Sequence, residues 1–218
     1  MVKLLLILAC AQLTALGQGF TFTDVAWLGR YPVATPVIPP STCTSNSTFI
    51  PDIGVGQPYP MRIYVTNTEP ITNITFTVTD LLHNSTLDLS VVLAKCGTTN
   101  SYGVMFSSIG TGSEASTLTF TVSDDIPGFD YPPFQFAVAV TNGTYNAVNR
   151  IGLGTDMALC SPDVKDISTI TEGFGEFLGL SPNGYWSVYV VDTIAVDGGS
   201  IGCFTLTING SPNYPLAP

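Results

Sequence analysis

Basic residues are scarce in this chain. Its 218 residues include only 6 Lys plus Arg against 16 Asp plus Glu, which gives a formal net charge of −10. Such a balance keeps a surface soluble and repels nucleic acid and anionic membranes, because both partners are themselves negatively charged. We therefore expect no nucleic-acid partner and no phosphate-binding surface.

Histidine is almost absent, and the cysteines are far apart. His83 is the only histidine, and no C-x-x-C pair is present, so a zinc site is not expected. Gly198–Gly202 formally matches the hydrolase pattern G-x-S-x-G, with Ser200 as nucleophile and His83 as the available base. The motif requires a strand-to-helix turn, whereas Ser200 opens a strand-like run. We predict a turn here and no enzyme, with a Ser200–His83 hydrolase as a rival hypothesis.

No apolar run is long enough to span a bilayer, which takes about 20 residues. Residues 1–17 instead have the three parts of a secretory signal peptide. Lys3 supplies the positive start, Leu4–Leu13 the apolar run and Ala15–Gly17 the small-x-small cleavage site. We predict cleavage after Gly17, an extracellular location and no membrane insertion.

The cysteine count fits this location. Of the five cysteines, Cys10 lies in the signal peptide, which leaves Cys43, Cys96, Cys160 and Cys203. An even number in a secreted chain predicts two disulfides, and four cysteines allow three pairings.

Helical periodicity is also missing, and alternation with a period of two replaces it. Strict alternation predicts strands with one buried and one solvated face, and Thr, a good strand former, fills most of the solvated face. The predicted class is all-β, an antiparallel β-sandwich or jelly roll. The predicted inward residues are Ile74, Phe76 and Val78; Leu118, Phe120 and Val122; Phe134, Phe136, Val138 and Val140; Trp186, Val188 and Val190; and Phe204, Leu206 and Ile208.

Residues 18–41 have a different composition. A strand-like segment, residues 20–28, precedes a stretch rich in Thr and Pro that favours extended backbone. We predict an N-terminal arm outside the main domain, because an apolar strand on a stiff link can add to the sheet edge of a neighbouring subunit. The residues predicted to make this assembly contact are Phe20, Phe22, Val25 and Trp27.

Two kinds of polar site stand out. Asp124, Asp125 and Asp130 form one acidic group, and Asp192 and Asp197 flank another loop, so these are candidate calcium ligands as well as ordinary turn residues. No other cofactor is predicted. Four sequons predict N-glycosylation in a eukaryotic host, at Asn46, Asn73, Asn84 and Asn142.

Residues 42–210 resemble the P domain, or P/Homo B domain, that follows the catalytic domain of proprotein convertases and related subtilases. "GYWSVYVVD" and "GSIGCFTLTI" resemble its two closing strands, with Phe204 where the family usually has Trp. "FIPDIG" and "LLHNSTLDLSVVLAKCGT" resemble earlier motifs through Asp52, His83, Asp88 and Gly97. Residues 211–218 form a short tail.

This resemblance implies a jelly-roll sandwich and a supporting, non-catalytic role, since no protease domain is present. The first and last strands of such a fold lie close together. The resemblance thus implies the pairing Cys43–Cys203, which leaves Cys96–Cys160.

We therefore expect a secreted, glycosylated, non-catalytic β-sandwich with a structural or interaction role. Strand exchange through the arm would assemble it with itself into an extracellular coat or filament. The alternative is a monomeric module that binds carbohydrate, another extracellular protein or a protease.

Overall fold

The structure is a computed structural model, and it describes residues 47–111, 117–123, 138–149, 156–160 and 164–215. The described residues contain fourteen strands and three short 3₁₀ helices, Thr86–Asp88, Ile167–Thr169 and Gly175–Phe177. None of their helices is long and apolar enough to cross a membrane. The strands are β1 Thr48–Ile50, β2 Gly54–Val55, β3 Met61–Val65, β4 Ile74–His83, β5 Leu89–Lys95, β6 Ser101–Ser107, β7 Leu118–Ser123, β8 Gly143–Tyr145, β9 Val148–Asn149, β10 Asp156–Ala158, β11 Val164–Asp166, β12 Gly184–Asp192, β13 Gly199–Ile208 and β14 Ser211–Asn213.

These strands form two six-stranded sheets and one small hairpin. Sheet I has the order β1-β13-β4-β7-β8, with β14 also paired to β13. Sheet II has the order β2-β12-β5-β6-β9, with β3 also paired to β12, and β10 pairs with β11. The pairs are antiparallel except β6–β9 and β7–β8, which are parallel. The predicted all-β class is therefore confirmed, although the sheets are mixed.

The two sheets pack face to face over the main hydrophobic core. Phe106 of sheet II meets Phe120 of sheet I with ring centroids 5.5 Å apart. Phe76 stacks on Phe204 within sheet I at 5.1 Å. All the inward residues predicted on β4, β7, β12 and β13 are buried, so the alternation in the sequence assigned these four faces correctly.

The prediction of one wet face per strand is wrong for sheet II. On its outer face, Val92, Ala94, Tyr189 and Val191 are also buried, in a second apolar cluster. Residues of the β10–β11 hairpin and of the segment with the 3₁₀ helix that follows it cover this face. They contribute Met157, Leu159, Ile167 and Ile170 to the cluster. Because a distant part of the chain covers these strands, the alternation within a strand does not reveal that their outer face is buried.

The strand predicted over residues 134–140 also differs. Residues 138–140, its described part, do not belong to a strand. Val138 is 51% exposed, whereas Val140 is buried. Phe134 and Phe136 lie outside the described residues.

A disulfide fastens the hairpin to sheet II. Cys96, just after β5, bonds to Cys160, just after β10, and the two cysteines are 64 positions apart with Cα atoms 5.3 Å from each other. This is the pairing left by the resemblance. Cys203 is also disulfide-bonded, but Cys43, its predicted partner, lies outside the described residues, so that pairing stays a prediction.

Replacing both Cys96 and Cys160 by Ser should lower the free energy of unfolding by about 2–4 kcal/mol, because the unfolded chain regains the conformational freedom that the long loop denies it. Urea denaturation of the variant and of the parent protein under non-reducing conditions measures the difference. Hydrogen exchange should also speed up in residues 156–160 and 164–170. An unchanged denaturation midpoint would show that packing alone holds the hairpin.

Candidate functional site

The single histidine lies at one end of the sandwich, where β4 and β12 end. His83 and Asp192 are buried, and His83 Nε2 lies 3.0 Å from Asp192 Oδ2. The backbone N–H of Ser85 donates to His83 Nδ1 over 3.2 Å. Because Nδ1 accepts this bond, the proton of the neutral ring is on Nε2 and points at the Asp192 carboxylate.

The carboxyl group of Asp192 is held from both sides. The backbone N–H of Ile194 donates to its Oδ1 over 3.0 Å. Burial raises the pKa of Asp192 above its usual 3.8, and the nearby charge of Asp88 raises it as well. The bonds from Ile194 and His83 and the attraction of His83 act in the opposite direction but do not cancel the effect of burial.

The same end of the sandwich gathers the described candidate metal ligands. One ligand atom each of His83, Asp192 and Asp197 lies within 4.8 Å of the others. A metal on His83 Nε2 would need the lone pair of that nitrogen, so the ring proton would move to Nδ1 and face the N–H of Ser85. The donor geometry therefore fits a hydrogen-bonded link between strands better than a metal bound through histidine. Asp124, Asp125 and Asp130, the other predicted calcium ligands, lie outside the described residues, and calcium binding stays a prediction.

Ser200 and His83 are not brought together. In the antiparallel pair of β13 and β4, Ser200 is opposite Leu82, whose side chain is 50% exposed, while Gly199 is opposite the buried His83. Opposite residues share a face, so Ser200 points away from the face of His83. Both ring nitrogens of His83 are also engaged. The arrangement required for the rival hydrolase hypothesis is therefore missing at this serine.

Several residues that carry the family resemblance meet at this end and have structural roles. The carboxylate of Asp52 accepts a bond from the backbone N–H of Val196 at 2.5 Å, which ties the β1–β2 turn to the loop after β12. Gly199 lies so close to the carbonyl group of Leu82 that a Cβ atom would collide with it. Together with the His83–Asp192 pair, these contacts join the β1–β2 turn, β4 and the loop after β12 at this end of the sandwich.

A groove lies on the outer face of sheet II. Its volume is about 610 Å³. The floor comes from β12, whose outward side chains include Tyr185, Ser187 and Tyr189. One wall consists of Tyr59, Pro60 and Arg62, and the other consists of Cys96, Gly97, Asn100, Ala158 and Cys160. The hairpin and its disulfide thus build one side of the groove.

Two tyrosines with different surroundings meet in the groove. The rings of Tyr59 and Tyr189 make an edge-to-face contact at 5.1 Å, and the backbone N–H of Cys160 donates to the Tyr189 hydroxyl over 2.7 Å. The Tyr59 hydroxyl is buried and has no hydrogen-bond partner among the described residues. Burial, with a smaller effect of Tyr189, raises the pKa of Tyr59 to about 12. Its hydroxyl therefore stays protonated and able to donate at neutral pH.

Two exposed aromatic rings lie side by side on the outer face of sheet II, and one of them, Tyr185, lines the groove. Tyr185 is 52% exposed and Tyr64 is 41% exposed, and their rings meet edge to face at 4.9 Å. The guanidinium carbon of Arg62 lies 6.0 Å from the centroid of the Tyr185 ring. These side chains place two exposed aromatic rings beside a cation.

The groove residues were not predicted as a site. Tyr185 and Tyr64 have the parity opposite to the buried Trp186 and Ile63, so alternation alone identifies them as outward aromatic residues. No local signal places Tyr59, Cys160 or Asn100 beside them, because these residues come from separate parts of the chain.

The glycosylation and assembly predictions concern other surfaces. Asn84 and Asn142 are exposed and Asn73 is partly exposed, while Asn46 lies outside the described residues. The Oδ1 of Asn142 accepts a bond from the backbone N–H of Thr119 over 2.8 Å. The arm, including Phe20, Phe22, Val25 and Trp27, and the signal peptide also lie outside the described residues. All of these stay predictions.

Comparisons of the chain with family models, with curated proteins and with solved structures found no match. The resemblance to the P domain therefore stays a prediction from the motifs.

Proposed function

We propose that this chain is a secreted, non-catalytic interaction module that binds carbohydrate in the groove of sheet II. The observation that carries this proposal is the tyrosine-lined groove itself. Its volume of about 610 Å³ is in the usual range of ligand sites, roughly 300–1,000 Å³, which combine aromatic walls with a few placed polar groups.

The side chains of the groove suit a sugar. A sugar ring has C–H groups on its faces and hydroxyls around its edge, so it needs an aromatic surface next to hydrogen-bonding groups. Tyr185 offers an exposed ring, and Ser187 and Asn100 also line the groove. Tyrosine supplies such contact area at a small cost in conformational entropy.

Assembly through the N-terminal arm is a further part of the proposal. It rests on the sequence alone, because residues 18–41 are outside the described part. Strand exchange by Phe20–Leu28 and sugar binding by sheet II use different parts of the chain, so one protein can do both in an extracellular coat.

Replacing Tyr185 by Ala should weaken carbohydrate binding at least tenfold, because the exposed ring is the main stacking surface in the groove. Calorimetric titration with a panel of neutral and acidic oligosaccharides measures the affinity. The melting temperature should change little, since Tyr185 is half exposed. Phe49→Ala is the matched control, because Phe49 is 56% exposed on β1 of the other sheet. Failure of the parent protein to bind any member of the panel would overturn the proposed function.

A further inference from the structure

Arg62 in the groove has no acidic partner among the described residues, although the protein is strongly acidic. The net charge is −10, yet the ion-pair contacts among the described residues are those of His83 with Asp192 and Asp197. Arg62 lines the groove and makes no ion pair with a described carboxylate. Most arginines in such an acidic chain could find a carboxylate partner. An arginine on a groove wall that pairs with no described carboxylate is available to a negatively charged ligand.

The other described cations do not have this position. Lys95 donates to the backbone oxygen of Asn183 over 2.7 Å and lies above the Trp186 ring. Lys165 lies 5.8 Å from the centroid of the Tyr102 ring, and neither lysine lines the groove. Arg62 is therefore the one described cation that a ligand in the groove meets directly.

The aromatic neighbour of Arg62 lines the same groove. The guanidinium carbon lies 6.0 Å from the centroid of the Tyr185 ring, and Tyr185 is 52% exposed. A ligand that meets Arg62 in the groove therefore meets this ring as well.

We infer that the sugar bound in this groove is acidic, a hexuronic acid chain whose carboxylate accepts hydrogen bonds from Arg62 while a sugar ring packs against Tyr185. This inference rests on the proposed carbohydrate-binding function and adds the charge and the recognised group of the ligand. The planar guanidinium group can donate two parallel hydrogen bonds to a carboxylate. The neighbouring ring of Tyr185 positions the sugar ring.

An acidic peptide suits the groove less well. Extended peptides gain affinity by adding a strand to a free sheet edge. The floor of this groove is β12, whose main chain already pairs with β2, β3 and β5 inside sheet II. A ligand in the groove thus meets side chains rather than free main-chain groups, which favours a sugar with its many hydroxyls.

The test compares two ligands with the same sugar chain, one with free carboxylates and one with neutral methyl esters. We would titrate the full chain, without its signal peptide, with a galacturonic acid oligosaccharide and with the same oligosaccharide fully methyl-esterified, at low and at high salt. The acid should bind about tenfold more tightly than the ester, since hydrogen bonds to charged groups are the stronger ones. Added salt should reduce the ratio of the two affinities, because it screens the attraction between Arg62 and the carboxylate.

Arg62→Gln should abolish the preference for the acid and leave the affinity for the ester nearly unchanged. Lys165→Gln is the matched control, because it also removes a cation beside a tyrosine ring but away from the groove, and it should keep the preference. Tyr59→Phe should raise the melting temperature of the free protein, since it removes a buried hydroxyl that has no hydrogen-bond partner among the described residues.

The outcomes separate the two proposals. Equal affinity for acid and ester, or a preference that survives Arg62→Gln, would overturn the acidic inference and leave carbohydrate binding intact. Binding of an oligoglutamate peptide in competition with the acid, at equal or higher affinity, would overturn the assignment to carbohydrate. Binding of neither oligosaccharide, with no sugar bound from the wider panel, would overturn both proposals.

Discussion

Replacing Trp186 by Ala should lower the free energy of unfolding by about 3–5 kcal/mol, as is typical of large aromatic residues in a core. Trp186 is fully buried, and its ring centroid lies 5.0 Å from that of Phe177. Its indole N–H donates to the backbone oxygen of Pro182 over 2.8 Å. The substitution therefore leaves a large cavity and a buried carbonyl group without its donor. Denaturant unfolding followed by circular dichroism measures the loss.

Two other substitutions on β12 separate the contributions. Trp186→Phe keeps an aromatic ring against Phe177 but removes the indole donor, so its loss should be smaller than that of Trp186→Ala. Tyr185→Ala removes the neighbouring, half-exposed ring and should cost less than about 0.5 kcal/mol, as surface substitutions usually do. A Trp186→Ala variant as stable as Tyr185→Ala would contradict the inward orientation of Trp186.

The sandwich core was predictable because its signal is local. In β4, β7, β12 and β13, neighbouring residues point to opposite faces, and the choice of Phe, Val, Leu and Ile on one parity records which face is buried. The predicted orientation of Trp186 follows from Val188 and Val190 a few positions away. No knowledge of the partner sheet is needed for this step.

The outer face of sheet II could not be predicted in the same way. β12 is buried on both faces from Trp186 to Asp192, because the β10–β11 hairpin folds back over it. The cysteine count indicates disulfides but allows three pairings, and only the resemblance to the P domain singles out Cys96–Cys160. Ala158 and Cys160 line the groove together with Tyr59 and Pro60, which precede β3, and no pattern within one strand encodes that arrangement.

The His83–Asp192 contact has a similar origin. The two residues are 109 positions apart, and each reads on its own as an ordinary polar residue at the end of a strand. From the sequence, His83 is the available base of the rival hydrolase hypothesis, and Asp192 is a candidate calcium ligand. The structure joins them because β4 and β12 end on the same side of the sandwich, in sheets that face each other.

Replacing His83 by Ala should lower the free energy of unfolding by about 3–5 kcal/mol at pH 7, because it leaves the buried carboxylate of Asp192 without its main side-chain partner. The loss should shrink as the pH falls. The pKa of Asp192 in the folded protein is already raised above 3.8, mainly by burial. Its contribution to stability is therefore full below pH 3.8 and is lost as the pH rises through the raised pKa. Without His83 the pKa of Asp192 rises further, so the free energy of unfolding continues to fall up to a higher pH.

Denaturant unfolding of the variant between pH 4 and pH 8 tests this expectation. The double variant His83→Ala with Asp192→Asn is the matched control, since it creates the same cavity but has no carboxyl group to ionise at this position. Its stability relative to the parent protein should vary less with pH than that of His83→Ala. Leu82→Ala, at an exposed neighbour on β4, controls for general damage to the strand. Parallel pH profiles for the single and the double variant would mean that His83 acts through packing rather than by holding a buried charge.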